Sequence, residues 1–263
     1  MTSKVTELAT YARLIEVFSA IQGEGLNVGT RQIFIRFALC DLRCQFCDSA
    51  HTWSVPSTCR IERSPGVRDF ETHDNPVAIS TLLAWVERQN LPGLHDSISL
   101  TGGEPLLHAA FLQQFLPQLQ RTGLPLYLET GGHRPQQLAM VLPYLDTVGM
   151  DLKLPSVSGE THWQAHSEFL QQCHQAGVEV FVKIIVSKAT EITELKRAAA
   201  LIAAVSPEIT VFLQPVTPPE GVQPSHQLLS PTPDQVLTWQ AQMKELLKSV
   251  RVVPQTHKML NQL

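Results

Sequence analysis

Residues 13–18 (RLIEVF) mix apolar and polar positions and are rich in β-formers, which predicts a strand; residues 32–37 (QIFIRF) predict a second. Between them, Ser19 to Gly25 reads SAIQGEG, two glycines and no proline, the composition of a loop held close to something. Residues 51–76 hold prolines, serines and mixed charges with no period, and read as a surface insertion. Helical spacing follows over 76–90, with Ser80 as the expected N-cap. From there a rhythm sets in. Strands are predicted at 96–100, 124–128, 147–150, 178–186 and 209–213. Helices fall between them at 107–121, from Pro135 onward, at 162–176 and at 191–205. A Pro-rich link leads to a last helix near 232–247 and a short strand at 250–253.

Strands alternating with helices imply a parallel sheet with right-handed crossovers. Six strands carry the pattern from Gln32 to the tail, fewer than the eight of a closed barrel. The expected fold is therefore α/β: a partial, open TIM-like barrel of about six parallel strands with helices outside, plus short N- and C-terminal strands. In such sheets ligands bind at the C-terminal ends of the strands. The distinctive segments fall there, one per strand: Cys40 to Cys47, Gly102 to Pro105, Glu129 to Gly132, Asp151 to Lys153, and Gln214. Their convergence on one rim points to an active site.

Composition adds bounds. At 263 residues, 43% hydrophobic and 17% charged, the chain has enough apolar material for a large core. A net charge of −4 with no block of like charges gives no reason to expect a nucleic-acid partner. No apolar run approaches a membrane span, and residues 1–12 lack the layout of a secretory signal. Five cysteines, an odd number with three of them clustered, do not resemble a disulfide framework. The expectation is a reduced, cytoplasmic protein in which Cys59 and Cys173 have no evident partner.

The cluster itself is Cys40-Asp41-Leu42-Arg43-Cys44-Gln45-Phe46-Cys47. Three thiols so close can wrap one inorganic centre, yet a closed zinc site or an ordinary cubane takes four ligands. A three-thiolate cubane leaves one iron free to bind a small molecule. His51 would complete a zinc knuckle instead, and redox-active thiols or chance are further readings. The Cys-x3-Cys-x2-Cys spacing, with Phe46 before the last cysteine, resembles the radical S-adenosylmethionine (SAM) enzymes. Gly102-Gly103-Glu104-Pro105 resembles their GGEP motif, in which glycines let backbone approach the methionine end of SAM and a carboxylate can accept from its ammonium. An ordinary βα turn with Pro105 opening a helix reads the same way.

Gln22-Gly23-Glu24-Gly25, Arg36, Cys47-Asp48-Ser49 and Gln255-Thr256-His257-Lys258 together resemble the 7-carboxy-7-deazaguanine synthase family, over a span from about Arg13 to the last residue. That resemblance implies one radical SAM domain over 1–263 with residues 250–263 closing the active site. It implies a [4Fe–4S] cluster on Cys40, Cys44 and Cys47, with SAM and Mg²⁺ as further cofactors. The implied reaction converts 6-carboxy-5,6,7,8-tetrahydropterin to 7-carboxy-7-deazaguanine with loss of ammonia, through a 5′-deoxyadenosyl radical. A reducing partner such as flavodoxin or ferredoxin and a homodimer are implied too.

Residue by residue, the resemblance places Phe46, Gly102, Gly103, Glu104, Glu129, Asp151, Lys153 and Gln214 around SAM. It places Ile21, Gln22, Gly23, Glu24, Thr101 and His257 around the pterin, with Arg36 for its carboxylate. Ser49 stands where the family usually has a threonine that binds Mg²⁺, and a serine hydroxyl is an equally hard oxygen donor. Residues 258–263 can span at most about 20 Å, so the Leu263 α-carboxylate is expected as a second acceptor beside Glu24. Two other readings stay open at this point: a different small radical SAM enzyme such as a glycyl-radical activase, and a zinc-stabilised binding protein using Cys40, Cys44, Cys47 and His51.

Overall fold

The structure is a computed structural model, described over residues 10–218 and 229–262. Its strands are β1 (Tyr11–Ala12), β2 (Leu14–Ile21), β3 (Arg31–Phe37), β4 (Thr58–Glu62), β5 (Phe70–Asp74), β6 (Val77–Ala78), β7 (Ser97–Gly102), β8 (Leu126–Thr130), β9 (Thr147–Asp151), β10 (Glu179–Val186), β11 (Thr210–Pro215) and β12 (Val250–Val252). Its α-helices are α1 (Ile79–Gln89), α2 (Ala109–Leu119), α3 (Pro135–Val141), α4 (Pro155–Ser158), α5 (Trp163–Ala176), α6 (Ile192–Val205), α7 (Pro233–Met243) and α8 (Thr256–Met259).

A ten-stranded sheet runs in the order β12-β11-β10-β9-β8-β7-β3-β2-β4-β5. The stretch from β3 to β12 is parallel throughout, as the β/α alternation demands. The two ends do not meet, so this is the open, partial barrel expected from the strand count. The parallel strands read as near-continuous apolar runs because helices cover them; Ile98, Leu100, Leu128, Val148, Val182, Ile184 and Leu213 are fully buried. Helix faces supply the other half of that core through Phe111, Phe115, Phe169, Leu195 and Ile202. Among the described residues no helix is long and apolar enough to cross a membrane.

Two details differ from the sequence reading. Ser80 is not the cap of α1: the helix starts at Ile79, Ala78 occupies the cap position, and no side chain closes it. The two-residue pairing of Tyr11 and Ala12 with Ala78 and Val77 sets the chain's entry to α1 instead. The aperiodic stretch 51–76 is also more regular than its pattern suggests. It holds the β4–β5 hairpin, which continues the main sheet beyond β2; exposed Thr58 and Arg60 alternate with buried Cys59 and Ile61, a strand period too short to stand out among the flanking prolines and serines. Thr58, Ile61, Phe70 and Thr72 are β-formers, and pairing to β2 fixes where the hairpin sits.

Candidate active site

The C-terminal ends of the parallel strands ring a cavity of about 470 Å³. Of the side chains and turns predicted for the site, all but Leu263 line it. Leu263 lies outside the described residues.

One wall is the cysteine loop, which leaves β3 at Phe37. Cys44 is buried and Cys40 and Cys47 are half-buried, all as free thiols. Burial pushes the Cys40 thiol up to about 11. The loop is fastened from outside: Asp41 accepts from Arg134 at 2.6 Å and lies 3.0 Å from the His133 ring. Arg43 donates to the Cys40 and Leu42 carbonyls and stacks 4.9 Å from the Trp53 ring centroid.

The Gly102-Gly103 turn packs on this loop, which explains the glycines. A Cβ at Gly103 would lie 2.1 Å from the Leu39 carbonyl oxygen, and Gly102 adopts a φ of +131°. Backbone bonds from Gly103 and Glu104 to Phe37 and Leu39 close the contact at 3.0 and 2.8 Å. Glu104 lines the cavity and is also held by the fold. Its carboxylate accepts from Leu106 N–H, the Thr130 hydroxyl and Gly131 N–H, all at 2.9 to 3.0 Å, and it is 1% exposed. It ties β7's turn to the end of β8.

The floor is a chain of charges on strand ends. Lys183 of β10 lies in register with Asp151 of β9 and reaches it at 3.1 Å; its ammonium also meets Glu24. Lys153 donates to the other Asp151 oxygen at 2.9 Å, with its ammonium 5.3 Å from the Phe46 ring centroid. Burial alone would raise the Glu24 carboxyl, but Lys183 outweighs it and holds the group below its usual range. Burial likewise works against the Lys183 ammonium, and Asp151 and Glu24 more than reverse it. Glu24 stays an ionised acceptor, steadied further by Gln255 at 2.8 Å and Gln214 at 3.0 Å. The Oε1 of buried Gln214 has no protein partner, leaving an acceptor turned away from Glu24.

Glu129 joins two elements of the expected pterin site. It accepts from Gln22 at 2.6 Å and from Thr101 at 3.0 Å. Burial pushes its carboxyl up, Lys183 offsets part of that, and Glu24 adds to the rise.

The C-terminal helix α8 covers the loop that carries Gln22 and Glu24. Gln255 bridges Glu24 and Asp48, the latter at 2.9 Å, and Lys258 meets Asp48 at 3.1 Å. Ser49 donates to Asp48 at 3.0 Å beside the cysteine loop. His257 packs on Gly23, where any Cβ would lie 2.3 Å from its Nδ1.

A family model described as the Radical SAM superfamily matches residues 34–201. The 7-carboxy-7-deazaguanine synthase of Geobacter sulfurreducens is 45% identical over 256 residues, covering 96% of this chain and 98% of its own. The chain belongs to the 7-carboxy-7-deazaguanine synthase family. A second synthase of this family, from Thermococcus kodakarensis, is 33% identical over 80% of this chain and 86% of its own. The fold is that of the crystal structure of QueE from Escherichia coli, at a TM-score of 0.61 and 20% identity over 97% of this chain and 99% of that one.

Membership implies a [4Fe–4S] cluster and SAM, and the residues present fit both. Three free thiols face one cavity beside an apolar Phe46 and glycine backbone too tightly packed to carry a side chain. Among the described residues no three Cys, His, Asp or Glu side chains converge as the ligands of a single ion do. A cubane seats its thiolates on different irons and needs no such convergence. His51 lies exposed at the cavity rim.

Lys183, Tyr127 and Gln255 were not expected at the site as individual residues, although all three line the cavity. Lys183 had a signal: it is the only charge within FVKIIV, an interior polar position in an otherwise apolar strand. Gln255 stands inside the Gln255-to-Lys258 motif without a role of its own assigned, and Tyr127 had no signal beyond its place next to a motif.

Proposed function

We infer that this chain converts 6-carboxy-5,6,7,8-tetrahydropterin to 7-carboxy-7-deazaguanine with loss of ammonia, as a radical SAM enzyme. The observation that carries the reading is Glu24, an ionised carboxylate held by Lys183, Gln214 and Gln255 in the cavity that the three thiols also line. A pterin presents an adjacent ring N–H and amino group, two parallel donors that a carboxylate can accept together.

Held at Cys40, Cys44 and Cys47 beside Phe46, the cluster with SAM would supply the radical chemistry, a 5′-deoxyadenosyl radical directed at C6 of the pterin. The chain's own part is placement and exclusion of water. Glu24 and Gln22 orient the donor edge, and Glu129 keeps Gln22 and Thr101 in fixed rotamers. Arg36 takes the substrate's carboxylate with its terminal nitrogens, since among the described residues only its Nε is engaged, by Glu16. Phe46 and the Gly102-Gly103 backbone form the side on which SAM lies, with Lys153, Asp151 and Gln214 at its polar groups. Helix α8 covers the opening over Gly23, and residues 250–263 close the site as part of a single domain.

Mg²⁺ belongs at Ser49, beside the ionisable oxygens of Asp48, two hard donors at the edge of the cavity. Ser49→Ala would then raise the Mg²⁺ concentration needed for turnover while Ser49→Thr stays near wild type; equal Mg²⁺ dependence in all three proteins rejects the ligand. A one-electron partner such as flavodoxin or ferredoxin, a homodimeric state and a cytoplasmic location complete the proposal. Free cysteines throughout the described residues suit a reducing compartment.

The test is an anaerobic assay with the pterin acid, SAM, Mg²⁺ and reductant. Formation of 7-carboxy-7-deazaguanine and ammonia in equal amounts supports the reading. Cleavage of SAM with no pterin-dependent product overturns it.

A further inference from the structure

Four residues form one row across four neighbouring strands. Arg36 of β3 is in register with Thr101 of β7 on one side and with Glu16 of β2 on the other; Glu16 is in register with Arg60 of β4. Residues opposite each other share a face, and all four line the cavity. Glu16, 4% exposed, has both oxygens occupied: Oε1 accepts from Arg36 Nε at 2.7 Å and Oε2 from Arg60 Nε at 2.6 Å. Aromatic rings lie against both guanidiniums. Arg36 lies 5.5 Å from the Phe18 ring centroid and Arg60 4.5 Å from that of Phe70.

This arrangement carries one more positive charge than negative. Two guanidiniums share a single carboxylate, and the terminal nitrogens of Arg36 have no protein partner among the described residues. Arg36 is largely buried and Arg60 half-exposed, so water screens the excess charge only in part and a counter-charge is favoured on the cavity side. A second carboxylate on the cavity side would meet the same two guanidiniums from their other edge and bring the group to neutrality. Arg36 is pinned at Nε and Arg60 at Nε and Nη2, so their remaining donors are pre-oriented and little ordering is lost on binding.

We propose that Arg60, supplied by the β4–β5 hairpin, is a second guanidinium for the substrate's carboxylate beside Arg36, and that Glu16 is the positioning residue that holds the pair. The proposal rests on the pterin acid being the substrate. It gives the hairpin a place in the site: β4 extends the sheet by one strand and brings a specificity-determining cation to its end. It also orients the ligand, with Glu24 taking the donor edge and the two arginines the acid.

The test compares equilibrium binding of 6-carboxypterin and of pterin lacking the carboxylate, both fluorescent and unreactive, to the anaerobic holoenzyme with SAM. Wild type is expected to prefer the acid. Arg36→Gln and Arg60→Gln should each reduce that preference at least tenfold and leave binding of the unsubstituted pterin within twofold. Arg60→Lys should keep part of it, as a charge without the fork. Glu16→Gln should also lower the preference, whereas a simple gain of positive charge predicts tighter binding of the acid. Arg60 is half-exposed, and iron content with thermal midpoint confirms that its variants are folded. An unchanged preference in Arg60→Gln, with Arg36→Gln impaired, overturns the proposal and leaves the function standing. Equal weakening of both pterins assigns Arg60 a structural role and also overturns it. A wild-type enzyme that binds neither pterin overturns the function itself.

Discussion

Thr256 donates both its backbone N–H and its hydroxyl to the carbonyl of Gly23, at 3.0 and 3.1 Å, across 233 residues of chain. The last helix is thereby fastened to the loop that presents Gln22 and Glu24. Gly23 is in this position because it lacks a Cβ, since one would lie 2.3 to 2.5 Å from His257.

Gly23→Ala should therefore push α8 off the loop. No residue of α8 is buried, so the thermal midpoint should change little. Turnover should fall roughly 100-fold, the scale expected for misplacement of about 1 Å at a reacting centre. Steady-state kinetics beside thermal melts check this. Wild-type kcat and KM in Gly23→Ala would show that the contact has no part in the reaction.

The cysteines divide into two groups by environment. Ala at Cys40, Cys44 or Cys47 should remove a cluster ligand, and iron content and SAM cleavage should both be lost. Cys59 and Cys173 are buried away from the cavity, at 2% and 0% exposure. Cys173→Ser should keep the iron and cost about 1–3 kcal/mol, because a hydroxyl replaces a thiol in an apolar core. Iron analysis of the five single variants decides, and loss of iron on replacing Cys59 or Cys173 would contradict the ligand set.

Lys183 is the counter-charge for two mostly buried carboxylates. Lys183→Met should leave Glu24 without a cation and Asp151 with Lys153 alone, and destabilise the fold by about 3 kcal/mol. Binding of 6-carboxypterin should weaken as well, since a protonated Glu24 no longer accepts as a carboxylate. Denaturant midpoints and ligand titrations measure the two effects. A variant as stable as wild type would mean that water already compensates these acids.

Two buried histidines set an acid limit on stability. Burial pushes His95 down to about 4, with the Arg31 charge adding to the fall, and pushes His166 down to about 3 against the pull of its Gly131 contact. Both titrate near 6.5 in an unfolded chain. The unfolded state thus binds more protons below that value, and stability should fall as pH drops from about 6.5 towards 4. His166→Gln should remove one proton from the slope, about 1.4 kcal/mol per pH unit. Denaturant melts between pH 6.5 and 5 test this, and equal slopes in the two proteins would exclude His166.

The parallel α/β core and the motif-bearing strand ends were legible because their signals are local. Periodicity over a few residues marks β7 to β11, and the spacing of Cys40, Cys44 and Cys47 is a property of eight consecutive positions. The family resemblance of the surrounding motifs placed Glu24 and Arg36, and a strand-end position pointed to Gln214. What the local pattern could not contain is which polar groups the fold itself engages. Glu104 is held by Leu106, Thr130 and Gly131, and that follows only from how β8 lies beside β7. The alternation in β4 covers only a few residues, and the hairpin's place in the sheet depends on pairing with β2. Lys183 meets Glu24 across 159 positions, and Arg60 meets Glu16 across 44. Such contacts depend on strand register, which the whole sheet settles at once because a slip of one residue would turn every side chain to the other face.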